Sequence, residues 1–491
     1  MTNKCKSKRS VAIMLKTRET QYEQFIASKR RVVNSTGIEI SEKSLNKKLM
    51  DWQKRVVAWA IRRGRAALFE DCGMGKTFQQ LEWSRVVHNE TNMPVVIHCP
   101  VGVRQQTKRE AEKFGIKCDV GVCDDPSELV DGINLINYEK LHKFDGVKFG
   151  GVVLDESSIL KGMNGKTRDL LCERYKNTRF RLACTATPAP NDHMELGNHA
   201  EFLGVCDATD MLNRFFYHDS GDTSRWVLMP HGQKDFWSWV AQWAVCIGKP
   251  SDIGGSDKGY DIPALRVTRH IVEADVMVAP TGFLFNVSGI TATTIHEEKR
   301  MTCEARCQQA KRIVEAGDGP CVVWCDTNYE SDMLAELMPQ ACEVRGDMKD
   351  TEKERKLADF SFGEYDVLIS KPSIAGMGMN WQHCNRMVFA GLSYSFEMYY
   401  QAIRRCWRFG QEKPVDVHIV LADTESAINS AIARKESDFE AMRCGMADAM
   451  REATLDEFGL REGKRDYKAT SKFKLPSFLQ TGVQVNESSC R

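Results

Sequence analysis

The sequence predicts an α/β fold built from two parallel-sheet domains, and three observations carry that reading. Short apolar segments alternate with amphipathic ones in two separate runs. A glycine-rich loop, Gly73-Met74-Gly75-Lys76-Thr77, directly follows the first apolar segment of the first run. The chain is 491 residues long, more than one hydrophobic core usually takes. Such alternation is what a mostly parallel sheet covered on both faces requires, because each strand is buried on both sides and each crossover supplies a helix.

Composition narrows the class. Apolar residues make up 42% and charged residues 27%, and no apolar run approaches the roughly 20 residues that cross a bilayer, so no membrane role is expected. The first nine residues are basic, but the apolar stretch over 11–15 is too short for the core of a secretory signal. The 18 cysteines are scattered through predicted strands and helices, below the density of a disulfide scaffold, and reduced thiols in a cytoplasmic chain are expected. Cys303, Cys307, Cys321 and Cys325 raise the question of zinc. The first pair falls in a helical run and the second in a strand, without turn-rich knuckles, so core packing is the reading. The formal charge is +1, yet residues 1–65 hold 17 Lys and Arg against 5 Asp and Glu. That end suits a polyanion, although a solvated basic tail explains the same excess.

Taken in order, residues 1–45 form a basic extension with a short helix over 22–31 and a turn at 34–37. The first domain spans 46–200. It opens with a helix over 49–63, whose Trp52, Val56 and Ala60 form an apolar face. A strand over 66–69 leads into the glycine-rich loop and a helix over 77–88. A strand over 95–98, a helix over 104–114 and a strand over 133–136 follow. The strand over 151–154 ends in Asp155-Glu156, and that over 181–184 in Thr185-Ala186-Thr187-Pro188. Residues 201–265 break the rhythm with Phe202, Phe215, Phe216, Tyr217, Trp226, Trp237, Trp239 and Trp243, and read as a helical connector with a helix over 234–247. Alternation resumes in a second domain, 266–435, with helices over 303–316, 329–337 and 396–407. Its strands fall over 321–325, 366–370, 386–390 and 415–420. Residues 436–491 are a charged C-terminal extension.

The chemistry lies where this pattern is punctuated. Gly73 and Gly75 let backbone N–H groups approach phosphate oxygens, Lys76 adds a compact positive charge, and Thr77 offers a hydroxyl to magnesium. Glu70 stands where the longer phosphate-loop pattern has its first glycine, and a tight strand-to-helix turn would use similar residues. Asp155 suits the carboxylate that completes a magnesium site, and Glu156 the group that orients and deprotonates an attacking water. Adjacent acids at a strand end are also ordinary surface residues. The pair gains meaning from sharing one alternating domain with the loop. Gln401, Arg404, Arg405 and Arg408 recur at spacings of three and four, which places most of them on one side of a helix. An arginine fork can hold several γ-phosphate oxygens, while a solvated basic helix is the plain alternative. His218-Asp219 and Glu425 form no nuclease pattern, so a nuclease would be another chain.

In this order the segments resemble the superfamily 2 helicases and translocases over residues 46–435. The likeness is greatest to the Swi/Snf-like branch, found in chromatin remodellers and in phage-encoded DEAD/DEAH-box helicase-like proteins. Leu49-Met50-Asp51-Trp52-Gln53 resembles the adenine-recognition segment, which assigns Gln53 to the base. Residues 73–77 resemble motif I, His98-Cys99-Pro100 motif Ia, Asp155-Glu156-Ser157-Ser158 motif II and residues 185–188 motif III. Val323-Trp324-Cys325 resembles motif IV and residues 373–380 motif V. The run from Gln401 to Gln411 resembles motif VI, whose two arginine fingers fall on Arg405 and Arg408. Ser157-Ser158, Trp407 and Cys72 depart from the usual residues. The resemblance implies two RecA-like domains with an ATP cleft between them, and ATP and Mg²⁺ as cofactors. It implies an ATP hydrolase that moves on DNA, duplex or branched, and remodels replication or recombination intermediates. RNA is the alternative partner, an ATP-gated clamp a further reading, and a nuclease or replication protein a companion chain. For a phage-encoded member the setting is the host cytoplasm. Thr187 and Ser373 become candidates for backbone contact.

Overall fold

The computed structural model describes residues 33–161, 165–190, 192–218, 226–260, 262–273, 299–376, 379–393 and 395–423, with short pieces between 434 and 458. The helix expected over 22–31, two residues of the motif V segment and residues 461–491 lie outside the described residues.

The first domain runs through α1 (Asp51–Arg63), β1 (Arg65–Glu70), α2 (Lys76–Thr91), β2 (Val95–Cys99), α3 (Arg104–Phe114), β3 (Asp119–Val122), β4 (Gly132–Asn137) and β5 (Gly151–Asp155). It continues through α4 (Lys166–Tyr175), β6 (Phe180–Thr185), α5 (Leu196–Leu203), α6 (Ala208–Phe215), the hairpin β7 (Phe216–His218) and β8 (Trp226–Leu228), α7 (Gln233–Val240) and β9 (Ala244–Ile247). Its sheet has the order β3-β4-β2-β5-β6-β1-β9 and is parallel throughout. The strand β1 shows why both faces must be covered. Ala67 and Phe69 enter one core and Ala66 and Leu68 the other, all buried.

The second domain comprises β10 (Leu265–Val272), α8 (Cys303–Glu315), β11 (Cys321–Trp324), α9 (Asn328–Leu337), β12 (Cys342–Val344), α10 (Asp350–Ser361), β13 (Val367–Ser370), α11 (Pro372–Ala375), β14 (Arg386–Phe389), α12 (Phe396–Ile403) and β15 (Val415–Ala422). Its sheet, β10-β15-β14-β11-β13-β12, is also parallel. Here too alternate residues of one strand feed opposite cores, Val322 and Trp324 on one face, Cys321 and Val323 on the other. Cys303, Cys307 and Cys325 lie in that second core.

Four expectations are corrected. Residues 201–265 are not a separate helical connector. The helix expected over 234–247 ends at Val240, and the chain enters β9, which pairs with β1. Without β9, an apolar strand with open backbone groups would form the sheet edge. Trp237, Trp239 and Trp243 therefore belong to the first domain's core. The basic extension does not reach residue 45. The Val33 N–H donates to Gln242 Oε1 at 2.9 Å, and the Thr36 and Gly37 N–H groups donate to the carbonyls of Arg63 and Arg62 at the end of α1. The C-terminal extension is in part a piece of the first domain, since Met446 and Met450 are buried in its core and Phe458 packs against Trp59. Finally, α12 stops at Ile403, so Arg404, Arg405 and Arg408 lie on the turn that follows the helix. The elements α4, α5, α6, α11, the β7–β8 hairpin, β3, β10, β12 and α10 were not expected. Of these, β3 and β12 are four and three residues long, too short for periodicity to reveal.

Candidate active site

Local rules build the first half of the site. Gln53 is the third residue of α1, and its Oε1 accepts the Met50 N–H at 3.0 Å, which caps the helix and fixes the side chain. Its Nε2 donates to the Met74 carbonyl at 2.9 Å, tying the helix start to the glycine-rich loop. The loop leaves β1 and turns into α2 through Gly73 at φ 90° and Gly75 at φ 82°. At both positions a side chain is excluded twice over. A Cβ on Gly75 would stand 2.5 Å from Gln53 Nε2, and one on Gly73 would stand 3.0 Å from Phe409. The unbonded N–H groups at the start of α2 then face the cleft, the arrangement that favours an anion. The Lys76 ammonium donates to the carbonyls of Glu70 at 2.7 Å and Asp71 at 3.0 Å.

The strand β5 delivers the acids. The Asp155 carbonyl accepts the Tyr138 hydroxyl at 2.7 Å, and its Oδ1 accepts Gln80 Nε2 at the same distance. Burial pushes the Asp155 carboxyl up, with Gln80 and Lys76 pulling the other way. Glu156 sits at φ 55°, a left-handed conformation that a non-glycine residue adopts at a cost. Burial, and next the charge of Asp155, push its carboxyl up as well, and its Oε2 is buried without a hydrogen-bond partner among the described residues. Two buried acids side by side, one with a bare oxygen, are a donor set suited to a divalent cation and a water. Magnesium therefore fits the residues present, with Thr77 and Asp155 to hold it.

The second domain completes the cleft. Arg405 Nε donates to the Gln401 carbonyl at 2.8 Å, and Arg405 and Arg408 each donate to the Met379 carbonyl at 3.3 Å. Neither arginine forms an ion pair among the described residues. Burial, and then the charge of Arg405, push the Arg408 guanidinium down to about 10. Two cations held together without an ion-pair partner among the described residues make a site that gains from a bound anion.

One cleft of about 360 Å³ is lined by Gln53, Gly73, Gly75, Lys76, Thr77, Asp155, Glu156, Arg405 and Arg408. Nine residues separated by up to 355 positions in the chain thus meet at one place. Gln401 does not line it. That side chain is buried, 1% exposed, with its amide 3.5 Å from Glu397, so it acts through its carbonyl on Arg405. Thr187 is also buried, its hydroxyl donating to Glu397 across the domains, while Ser373 is exposed. Sequence reading missed Gln80, Tyr138 and Glu397. Gln80 carried a signal, since it lies one turn after Lys76 on a helix whose start already pointed at phosphate.

Two parallel-sheet domains thus bring the phosphate loop and the acid pair together with the arginines of the second domain. Residues 305–410 match the family described as "Helicase conserved C-terminal domain", and the chain is similar over a longer stretch to proteins of the Swi/Snf-like kind. It is 22% identical over 418 residues to the Xenopus laevis protein "SWI/SNF-related matrix-associated actin-dependent regulator of chromatin subfamily A-like protein 1", covering 76% of this chain and 42% of that protein. It is 26% identical over 184 residues to the Mus musculus protein "DNA annealing helicase and endonuclease ZRANB3", covering 34% of this chain and 17% of that one. The chain thus spans less than half the length of these relatives. A solved structure, "Sulfolobus solfataricus SWI2/SNF2 ATPase core in complex with dsDNA", aligns over 86% of this chain and 99% of its own at 15% identity, with a TM-score of 0.39, too low to bear on function.

Proposed function

We propose that the chain is an ATP-dependent DNA translocase. The observation that carries this is the single cleft in which the phosphate loop and acids of one domain face Arg405 and Arg408 of the other. In this reading the base lies by Gln53, the loop N–H groups and Lys76 hold the phosphates, and Thr77 and Asp155 hold magnesium. The magnesium ion, when bound, offsets phosphate charge and supports the developing charge of the leaving group. Glu156 orients the water whose oxygen bonds to the γ-phosphorus while the bond to the β–γ bridging oxygen breaks, and its carboxylate takes the water's proton. The strained backbone and unpartnered oxygen of Glu156 suit a group aimed before substrate arrives.

Arg405 and Arg408 reach the site only when the domains close, so hydrolysis changes the spacing of the two domains and of whatever polymer they both hold. Support for DNA comes from the relatives, whose names place them in chromatin regulation and DNA annealing. Action on replication or recombination intermediates is part of the same proposal.

The test is a matched panel measuring ATP turnover with duplex DNA, single-stranded DNA and duplex RNA, together with triplex displacement and duplex unwinding. Duplex-stimulated turnover with triplex displacement and no unwinding is the expected result. Stimulation by RNA alone would replace DNA with RNA. Nucleotide binding without repeated turnover would replace the motor with a clamp.

A further inference from the structure

Three arginines stand close together after α12, and one of them does not face the cleft. The helix ends at Ile403, and Arg404 caps it at φ −70° and ψ 1°. From that turn Arg405 and Arg408 point into the nucleotide cleft, whereas Arg404 points at the base of the phosphate loop. Its Nη2 donates to the Cys72 carbonyl at 2.8 Å and forms an ion pair with Asp71 Oδ2 at 3.0 Å. The other Asp71 oxygen, Oδ1, accepts the Tyr400 hydroxyl at 2.8 Å and the Cys72 N–H at 2.7 Å. The Arg404 guanidinium lies over the Trp407 ring at 4.9 Å and the Tyr400 ring at 5.8 Å, and the residue is 2% exposed. The stretch 70–72 is also what restrains Lys76, through the carbonyls of Glu70 and Asp71. One short peptide is therefore gripped from inside by the loop's lysine and from outside by the second domain.

We propose that Arg404, with Tyr400, is a positioning residue that latches the phosphate loop to the second domain through Asp71, so that the loop's grip on nucleotide depends on domain closure. The proposal rests on the ATP-site reading above. Arg404 is not a third phosphate ligand. Its Nη2 is engaged with both Asp71 and Cys72, its face is covered by two aromatic rings, and it is absent from the cleft lining. The close approach of Phe409 to Gly73 makes the same junction from the other side of the loop. A buried ion pair of this kind behaves as a unit. Removing one partner strands the other without compensation, while removing both costs little more than removing either.

That signature sets the experiment. In the full chain, Arg404→Gln and Asp71→Asn are each expected to raise the Kd of a fluorescent ATP analogue about tenfold, while kcat at saturating ATP falls by less. The double variant should be no weaker than the worse single one. Tyr400→Phe, which removes one hydroxyl and leaves the packing, should raise the Kd about threefold and keeps the test valid if Asp71→Asn folds poorly. Arg405→Ala supplies the contrast, with kcat lost and affinity largely kept. Additive losses in the double variant, or a fall in kcat at unchanged affinity for Arg404→Gln, would overturn the latch. Wild-type chain that binds no nucleotide overturns the ATP-site reading itself, whereas wild-type binding with an unaltered Arg404→Gln overturns the latch alone.

Discussion

Lys76 and Glu156 occupy one cleft but answer to different steps. Lys76→Ala removes the compact charge of the loop and should weaken nucleotide affinity by about tenfold or more. Glu156→Gln keeps the shape and the neighbouring acid, so affinity should stay within about threefold while kcat falls about a hundredfold or more. Equilibrium titration beside steady-state turnover separates them, and near-normal kcat in folded Glu156→Gln protein would remove its assigned role. Residues outside the site set the acid limit of stability. Burial pushes the His98 imidazole down from 6.5 to about 3 and that of His199 to about 4. Both stay neutral where unfolded imidazoles gain protons, so this stability is complete above pH 6.5 and is lost as the pH falls through about 4 and then 3. Glu70 has the opposite sign. Burial, against Lys76 and Gln79, pushes it up from 4.5 to about 7, so its contribution is complete below 4.5 and declines as the pH rises to 7. His199→Asn should therefore flatten the fall of Tm between pH 6.5 and 4, and an unchanged slope would assign acid unfolding elsewhere.

At the scale of elements, the four residues of β9 decide where the first domain ends. They complete the pairing of β1, the strand that carries the phosphate loop, and the tryptophans before them fill its core. A fragment of residues 33–200 should expose β1 as an edge and lose buried apolar surface worth several kcal/mol, whereas residues 33–260 should unfold cooperatively. Thermal unfolding and light scattering of the two fragments check this. A monodisperse, cooperative 33–200 fragment would show that β9 is dispensable. The long elements were legible because their patterns are strong. The helix α1 shows its apolar face in Trp52, Val56 and Ala60, and β5 is a plain apolar run ending in acids. A run such as Ala-Val-Cys-Ile carries no period of its own, and it is a strand only because β1 lies beside it.

The whole molecule is held shut on several sides. Arg404 meets Asp71, Lys161 meets Glu397, and Arg104 meets Glu354 at 3.1 Å, each pair joining the two domains. If closure brings Arg405 and Arg408 to the reacting phosphate, replacing either with Ala should lower kcat about a thousandfold with little loss of nucleotide affinity. Equal losses in affinity and rate would instead mark simple ground-state binding. The basic end of the chain makes a separate prediction. Residues 1–32 hold nine Lys and Arg, and residue 33 onward is bonded to the first domain. Deleting residues 1–32 should make DNA binding less dependent on salt without changing nucleotide affinity. An unchanged slope with intact folding would leave the charge to solvation.

The sequence by itself determined the α/β class, the two sheet domains and the nine residues of the cleft to which it assigns phosphate, base and metal chemistry. Gly73, Gly75, Lys76 and Thr77 serve a loop whose backbone geometry is local, and the acid pair closes a strand whose apolar run is local. Tertiary structure alone decided what distant segments do to one another. It put β9 against β1, returned Met446 and Met450 to the first core, took Gln401 out of the cleft and turned Arg404 away from Arg405. These outcomes depend on burial, unpaired backbone edges and ion pairs between residues hundreds of positions apart, and no window along the chain contains both partners.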